Sequence, residues 1–175
     1  MSRPSATILV CAEDHDVCIR LRGRADVSVS VGFKELLTEL RARHFEHYEV
    51  ELSECQIMDS TFLGVLCGFA QKQEEESASP GRRPILFNAN DRITGLLTSL
   101  GVDDMFEFRH GNPLVQAPCK PLETTETPPP SREALKATSL EAHRTLMSLN
   151  PDNIPKFKDL TQFLAEDLKN IRSNT

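Results

Sequence analysis

The sequence has few of the features that would place a protein in a membrane or on a nucleic acid. Its 175 residues contain no run approaching the roughly 18 consecutive apolar residues that span a bilayer. The mostly apolar run at residues 6–12 is followed at once by acidic side chains, which is not the pattern of a secretory signal. Acidic side chains outnumber basic ones by 26 to 20, whereas nucleic-acid binding needs a clustered basic face. We therefore expect a cytoplasmic protein with no direct nucleic-acid partner and no membrane partner.

Common cofactor, metal and disulfide motifs are also missing. Neither a P-loop nor a dinucleotide-binding glycine pattern occurs, so we expect no cofactor. His44 and His47 have no third ligand in a recognisable spacing, so we expect no metal site. No C-x-x-C pair occurs, and we expect reduced, unpaired and mostly buried thiols, typical of a reducing compartment. These cysteines are Cys11, Cys18, Cys55, Cys67 and Cys119.

Charge and proline divide the chain into three parts. Residues 1–112 hold 12 basic and 18 acidic side chains, whereas residues 113–175 hold eight of each. Six prolines fall within residues 113–131, which predicts a semi-extended, weakly structured tether. One compact domain typically takes about 100–150 residues, which leaves room for an appendage. We predict a domain at 1–112, a Pro-rich linker at 113–131 and a C-terminal helical extension at 132–175.

The spacing of apolar residues predicts an α/β domain. Short β-rich runs occur at residues 7–12, 17–22, 48–52, 84–88 and 105–109. Helical spacing occurs at 31–45, after Asp59, and between Asn88 and Gly101, giving the order β-β-α-β-α-β-α-β. This order predicts a single sheet with helices packed on it. Two further helical patterns, at 132–150 and 152–172, predict a C-terminal α-helical hairpin.

The segment Asp59-Ser60-Thr61 carries the most specific chemical signal. It lies between a strand and a nearly all-apolar helix, and all three residues are helix N-cap types, so a simple cap is one interpretation. A helix N-terminus also favours anions, because its N–H groups are free and the helix dipole is positive there. A phosphate on this segment would add about −1.5 to −2 charges and repel an acidic partner. A phosphorylation switch is therefore the other interpretation.

A nucleophilic role for Ser60 is not indicated by the sequence. Such a serine needs a base within hydrogen-bond reach and an oxyanion hole. The G-x-S-x-G pattern is absent, and none of the five histidines stands in a motif-like relation to Ser60. Hydrolase chemistry is therefore disfavoured.

Three blocks of sequence, in the correct order, resemble the STAS domain of bacterial anti-sigma-factor antagonists. Residues 48–68 (YEVELSECQIMDSTFLGVLCG) are similar to the family's strand, Asp-Ser-Ser/Thr block and x-Leu-Gly-hydrophobic-Leu helix start. Residues 23–26 (GRAD) resemble its G-x-x-D turn. Residues 86–106 (LFNANDRITGLLTSLGVDDMF) resemble its last helix and the segments on either side. The resemblance covers about residues 5–110 and implies a STAS-like sheet with helices packed on it.

The resemblance also implies a phosphorylation-controlled protein-binding switch. In phosphorylated antagonists, a partner anti-sigma factor that is a serine protein kinase modifies the serine directly after the motif aspartate. That serine is Ser60 here, with Thr61 as the backup. The unmodified form binds the kinase and frees a sigma factor, the phosphorylated form dissociates, and a serine phosphatase resets the cycle. Ser60 would then be a substrate, and this protein would not be an enzyme. Partner contact is expected at Asp26, Asp59, Ser60, Thr61 and Phe62.

The sequence also allows other functions for a STAS domain. Phe62 stands where many antagonists have glycine and adds bulk at the first helical turn. An unphosphorylated STAS scaffold, an oligomerisation module or a ligand-sensing STAS domain are therefore competing interpretations. The C-terminal helices lie outside the resemblance, and three roles are open for them: packing on their own domain, forming a homodimer or binding another protein.

Overall fold

The computed structural model describes residues 6–78, 81–121 and 129–175. Within these residues, seven strands form one sheet and five α-helices accompany it. The strands are β1 (Thr7–Glu13), β2 (Asp16–Ala25), β3 (His47–Glu51), β4 (Cys55–Met58), β5 (Ile85–Phe87), β6 (Glu107–Arg109) and β7 (Cys119–Pro121). The helices are α1 (Val27–Ala42), α2 (Ser60–Glu76), α3 (Asp91–Ser99), α4 (Arg132–Leu149) and α5 (Ile154–Ser173).

The sheet has the strand order β6-β5-β3-β2-β1-β7, and β4 pairs with the last part of β2. An antiparallel hairpin of β1 and β2 begins the fold, whereas β2, β3, β5 and β6 run parallel. β2 pairs first with β3 and then with β4, and its register shifts after Gly23. Gly23 has φ of 93°, a conformation that glycine adopts without steric cost. The glycine of the GRAD block therefore lets one strand serve two partners.

All eight elements predicted for the first part of the chain are present in the predicted order, and the C-terminal hairpin is present too. Helix α1 begins at Val27, earlier than its apolar spacing indicated, because Asp26 caps it. Strands β4 and β7 were not predicted. β7 lies within the segment assigned to the tether and pairs with β1, while residues 122–128 of that tether lie outside the described residues.

The two faces of the sheet are covered differently. Successive side chains of a strand point to opposite faces, so β2 contributes to both. Val17, Ile19 and Leu21 of β2 belong to the main core, which also contains buried residues of α1, α2 and α3. Cys18 faces the other way and packs with Cys11 and Val115, a residue of the segment leading into β7. Among the described residues, no helix has the length and apolarity needed to cross a bilayer.

Cys11 and Cys119 form a disulfide between β1 and β7. The two residues stand opposite each other in the strand register, with their Cα atoms 4.1 Å apart. The prediction of unpaired thiols is therefore wrong for this pair, and the argument for a reducing compartment loses these two residues. A sequence separation of 108 residues gives no local signal of the pairing. Cys18, Cys55 and Cys67 are free and buried, as predicted.

The C-terminal hairpin packs on its own domain, one of the three arrangements that the sequence left open. Helix α4 lies against α2 and α1, and α5 folds back along α4. Leu146 of α4 is fully buried in the main core. Asn150 and Asn153 both donate from Nδ2 to the carbonyl oxygen of Leu100, at the end of α3, over 3.1 and 2.9 Å. The hairpin is therefore joined to the domain by apolar packing and by hydrogen bonds.

Candidate functional site

Asp26 and Asp59 meet at one end of the sheet. Strands β2 and β4 are parallel, so their carboxyl ends lie at the same edge. Asp26 directly follows β2, and Asp59 directly follows β4. The Asp59 N–H donates to the carbonyl oxygen of Ala25 over 2.9 Å, which fixes the two loops side by side. The structure thus brings together the GRAD and Asp-Ser-Thr segments, both of which the resemblance assigns to partner contact.

Asp59 binds the first turns of two helices. Its Oδ1 accepts a hydrogen bond from Phe62 N–H in α2, and its Oδ2 accepts one from Val27 N–H in α1, both at 2.8 Å. Burial raises the pKa of the Asp59 carboxyl; the two N–H donors oppose this rise, and the Asp26 charge adds to it. Asp26 caps α1 through Ser28 N–H at 3.0 Å. The capping interpretation of Asp59 is confirmed.

Ser60 begins α2 and hydrogen-bonds to the C-terminal hairpin. Its Oγ lies 2.8 Å from Nε2 of His143 in α4. The other ring nitrogen, Nδ1, lies 2.7 Å from the carbonyl oxygen of Ser139, which can only accept a hydrogen bond. In a neutral imidazole Nδ1 therefore carries the proton, and Nε2 accepts a hydrogen bond from the Ser60 hydroxyl. The hydroxyl that would receive a phosphate is half-buried and is already hydrogen-bonded to α4.

The next two residues point inward. Thr61 is buried, and its Oγ1 lies 3.1 Å from Ser139 Oγ on α4. Phe62 is fully buried and stacks on Phe33, with the ring centroids 4.2 Å apart. The bulk expected at the first turn of α2 thus fills the core instead of facing a partner. Of the five predicted contact residues, Asp26, Asp59 and Ser60 keep partial exposure.

His143 was not among the predicted site residues, because none of the five histidines stands in a motif-like relation to Ser60 in the sequence. The side chain is only 2% exposed, and its ring packs on that of Phe157 of α5 with the centroids 4.8 Å apart. The sequence did indicate that His143 is buried, because it lies at helical spacing on one stripe with Ser139, Ala142 and Leu146. That spacing shows which side of α4 is buried but not which element covers it.

The Ser60–His143 contact has two members of a nucleophile-and-base arrangement. Here a backbone carbonyl orients the imidazole, where catalytic triads use a carboxylate. Helix α4, which carries His143, also covers Ser60. A substrate would therefore have to displace His143 in order to reach the Ser60 hydroxyl. The geometry therefore favours a structural role for the His143–Ser60 hydrogen bond, in which it fixes the hydroxyl in place and does not activate it as a nucleophile.

Comparisons with known proteins agree with this architecture. The family model described as "Mlab, STAS domain" matches residues 8–107, which is more than half of the chain. The chain belongs to this STAS family. The matched residues contain all three sequence blocks, including the Asp-Ser-Thr segment, so the match confirms the resemblance. The C-terminal hairpin lies outside the match.

Solved structures support the STAS fold. The crystal structure of TM1081 from Thermotoga maritima, described as a candidate anti-sigma factor antagonist, is 15% identical with a TM-score of 0.51. This similarity covers 59% of this chain and 85% of that one. An NMR structure of TM1081 is 17% identical with a TM-score of 0.50, over 58% of this chain and 78% of that one. No curated protein matches the sequence. At these identities the likeness shows the shared fold.

Proposed function

We propose that this STAS protein is an anti-sigma-factor antagonist whose binding to a partner is switched by phosphorylation of Ser60. The observation that carries the proposal is the position of Ser60 at the N-terminus of α2, directly after Asp59. This position lies at the edge of the sheet where Asp26 is also partly exposed, so a partner would contact all three residues together. The partner would be an anti-sigma factor that is also a serine protein kinase.

The proposed switch acts through charge. The kinase would transfer the γ-phosphoryl group of ATP to Ser60 Oγ, the bond to ADP would break, and the hydroxyl proton would pass to a base of the kinase. The product would carry about −1.5 to −2 charges beside the Asp26 and Asp59 carboxylates. Residues 1–112 already hold six more acidic than basic side chains. An acidic partner surface would therefore release the phosphorylated form, and a serine phosphatase would reset it by hydrolysis.

A second candidate is an unphosphorylated STAS scaffold. The Ser60–His143 hydrogen bond and the burial of Thr61 favour it, because both hydroxyls are occupied by α4. In this role the hairpin would hold the Asp-Ser-Thr segment closed permanently. In both roles the protein would not be an enzyme, and any chemistry at Ser60 would belong to its partners.

The test is to locate phosphate on the protein. The full chain is incubated with ATP and a cognate serine kinase, and modified peptides are identified by mass spectrometry. Phosphate on Ser60, lost in Ser60→Ala, is the expected result. Phosphate on Thr61 alone would move the switch to the backup residue. If no cognate kinase modifies either residue, the switch is excluded and the scaffold stands.

A further inference from the structure

We infer that the C-terminal hairpin is an intramolecular lid over Ser60, and that a partner reaches this hydroxyl only after α4 has left α2. The regulatory part of this inference rests on the proposed function. The closed lid itself is a property of the chain and is measurable without any partner.

Both hydroxyls of the Asp-Ser-Thr segment are occupied by α4. Ser60 hydrogen-bonds with His143, and Thr61 hydrogen-bonds with Ser139. The two α4 side chains are 2% and 9% exposed, so they belong to a closed contact. A kinase must place the serine hydroxyl in line with the γ-phosphorus of ATP. The docked α4 prevents this, because His143 on that helix already occupies the hydroxyl through a hydrogen bond.

The backbones of α2 and α4 approach each other at a distance that glycine permits. A Cβ atom built on Gly64 of α2 would lie 2.5 Å from the carbonyl oxygen of Ala142 and 2.7 Å from its Cβ. One turn further along α2, a Cβ on Gly68 would make only an ordinary contact with Thr145, at 3.6 Å. The docking surface is therefore closely fitted at Gly64, one turn after Ser60.

The rest of the contact of α4 with α1 and α2, here called the seam, is packed less completely than a domain core. Thr138, Ser139, Ala142 and His143 form much of the buried face of α4 near α2, and they are small or polar. A partly open cavity of about 100 Å³ runs along the seam and is lined by residues of α1, α2 and α4. The exposed ion pair between Lys34 of α1 and Glu141 of α4 crosses the same seam. Apart from Leu146, which is fully buried in the main core, the contact of α4 with α2 is made largely by small or polar side chains, and such a contact opens at a lower free energy than an apolar core.

The lid is tested by the accessibility of position 60 in the full chain. In the Ser60→Cys variant, the new thiol is labelled with a water-soluble maleimide, and the labelling rate is measured by peptide mass spectrometry. Cys18, Cys55 and Cys67 are buried and Cys11 is bonded to Cys119, so labelling at 60 is distinguishable. Labelling of Cys67, which lies in α2, reports global unfolding.

Gly64→Ala in this background is expected to raise the labelling rate at position 60 at least ten-fold while Cys67 stays protected. Gly32→Ala is the matched control, because a Cβ on that α1 glycine meets nothing within 4 Å. If the two substitutions give the same labelling rate at position 60, the lid is excluded.

A second variant avoids the buried seam altogether. Lys34→Glu places two acids at the α1–α4 ion pair, and Lys34→Glu/Glu141→Lys restores the attraction with the signs exchanged. Because exposed pairs are worth about 0.2–1 kcal/mol, the single variant is expected to label about 1.4- to five-fold faster, and the exchanged pair to return to the original rate. Equal rates in all three proteins contradict the lid.

The regulatory part is tested with Ser60 intact. Gly64→Ala is expected to be phosphorylated faster than Gly32→Ala by the same kinase. Faster labelling with equal phosphorylation rates would overturn the regulatory role, because the kinase would then reach Ser60 through a closed lid. Faster labelling with no phosphorylation in any variant would overturn the proposed function and leave the lid in place.

Discussion

Ser60 and His143 are 83 residues apart in the sequence, yet Ser60 Oγ lies 2.8 Å from His143 Nε2. The residue expected to receive a phosphate is therefore bound by a helix that lies outside the STAS match. This contact joins the STAS domain to the C-terminal hairpin. It acts beside the apolar packing of Leu146 and the hydrogen bonds from Asn150 and Asn153 to Leu100.

The Ser60–His143 hydrogen bond is expected to contribute a coupling energy of about 0.5–1.5 kcal/mol, the usual net value for such a bond. A double-mutant cycle with Ser60→Ala, His143→Ala and the double variant isolates this term from the loss of histidine packing. Unfolding in urea gives the four free energies. His110→Ala, at an exposed position, is the control and should change the free energy by less than about 0.5 kcal/mol. Additive effects of the two substitutions would contradict the hydrogen bond.

Charge at position 60 is expected to decide partner binding. Ser60→Ala should retain binding, because it adds no charge and removes one contact that holds α4. Ser60→Asp should weaken binding at least ten-fold by repelling an acidic partner surface. Titration calorimetry with the kinase, without ATP, measures both affinities. The difference should shrink at high salt, which screens exposed charges. A difference that is independent of salt indicates steric exclusion, and equal affinities rule out a charge-based switch.

Asp59 is expected to stabilise two helices, so its two simplest replacements should differ. Asp59→Asn keeps an oxygen for Phe62 N–H but places an amide donor opposite Val27 N–H. Asp59→Ala removes both acceptors. Since one cap is worth about 0.5–2 kcal/mol, the alanine variant should lose more stability than both Asp59→Asn and the single-cap control Ser131→Ala. Equal losses in Asp59→Ala and Asp59→Asn would show that only one helix depends on this carboxylate.

The raised pKa of Asp59 predicts a pH dependence of definite sign. Between the pKa of an unfolded aspartate and the higher folded pKa, the folded state binds more protons than the unfolded state. The contribution of Asp59 to the free energy of unfolding therefore falls as the pH rises through this window, and this contribution levels off above the folded pKa. Asp59→Asn lacks this contribution, so the wild-type stability minus the variant stability should decrease with rising pH. A difference that increases with pH would mean that the folded pKa is lowered.

The Cys11–Cys119 disulfide is expected to stabilise the fold by about 2–4 kcal/mol, because it closes a long loop between β1 and β7. Cys119→Ser should lose this amount in urea unfolding. Dithiothreitol should destabilise the wild-type chain to the same extent and leave Cys119→Ser unchanged. A wild-type chain that is equally stable with and without reductant would contradict the bond.

Local patterns were sufficient for most of the elements but not for their long-range contacts. The helices and most strands were predictable because each shows its own periodicity, and Asp59 was recognisable as a cap from its place before an apolar helix. β4 was missed because only two residues, Ser53 and Glu54, separate the end of the preceding strand pattern from it. β7 was missed because its residues are atypical of strands and pair with β1 from more than 100 residues away.

The same limit applies to the site. The resemblance to antagonists implied one region of partner contact containing Asp26, Asp59 and Ser60, and the structure places these residues at the ends of the parallel strands β2 and β4. The sequence did not predict His143, since the side of α4 that is buried follows from spacing but its partner helix does not. The cysteine pair was missed for a similar reason, because strand register is a property of the assembled sheet.

Ten residues separate the end of β7 at Pro121 from the start of α4 at Arg132. Because β7 is bonded into the sheet, this connection keeps the hairpin near α1 and α2 even when α4 has left them. Short linkers give effective concentrations of about a millimolar, so a more dilute partner competes with a segment that is always close by. The partner's apparent affinity falls in proportion to the fraction of open molecules. The tethered hairpin would thus raise the concentration that a partner needs in order to bind at Ser60.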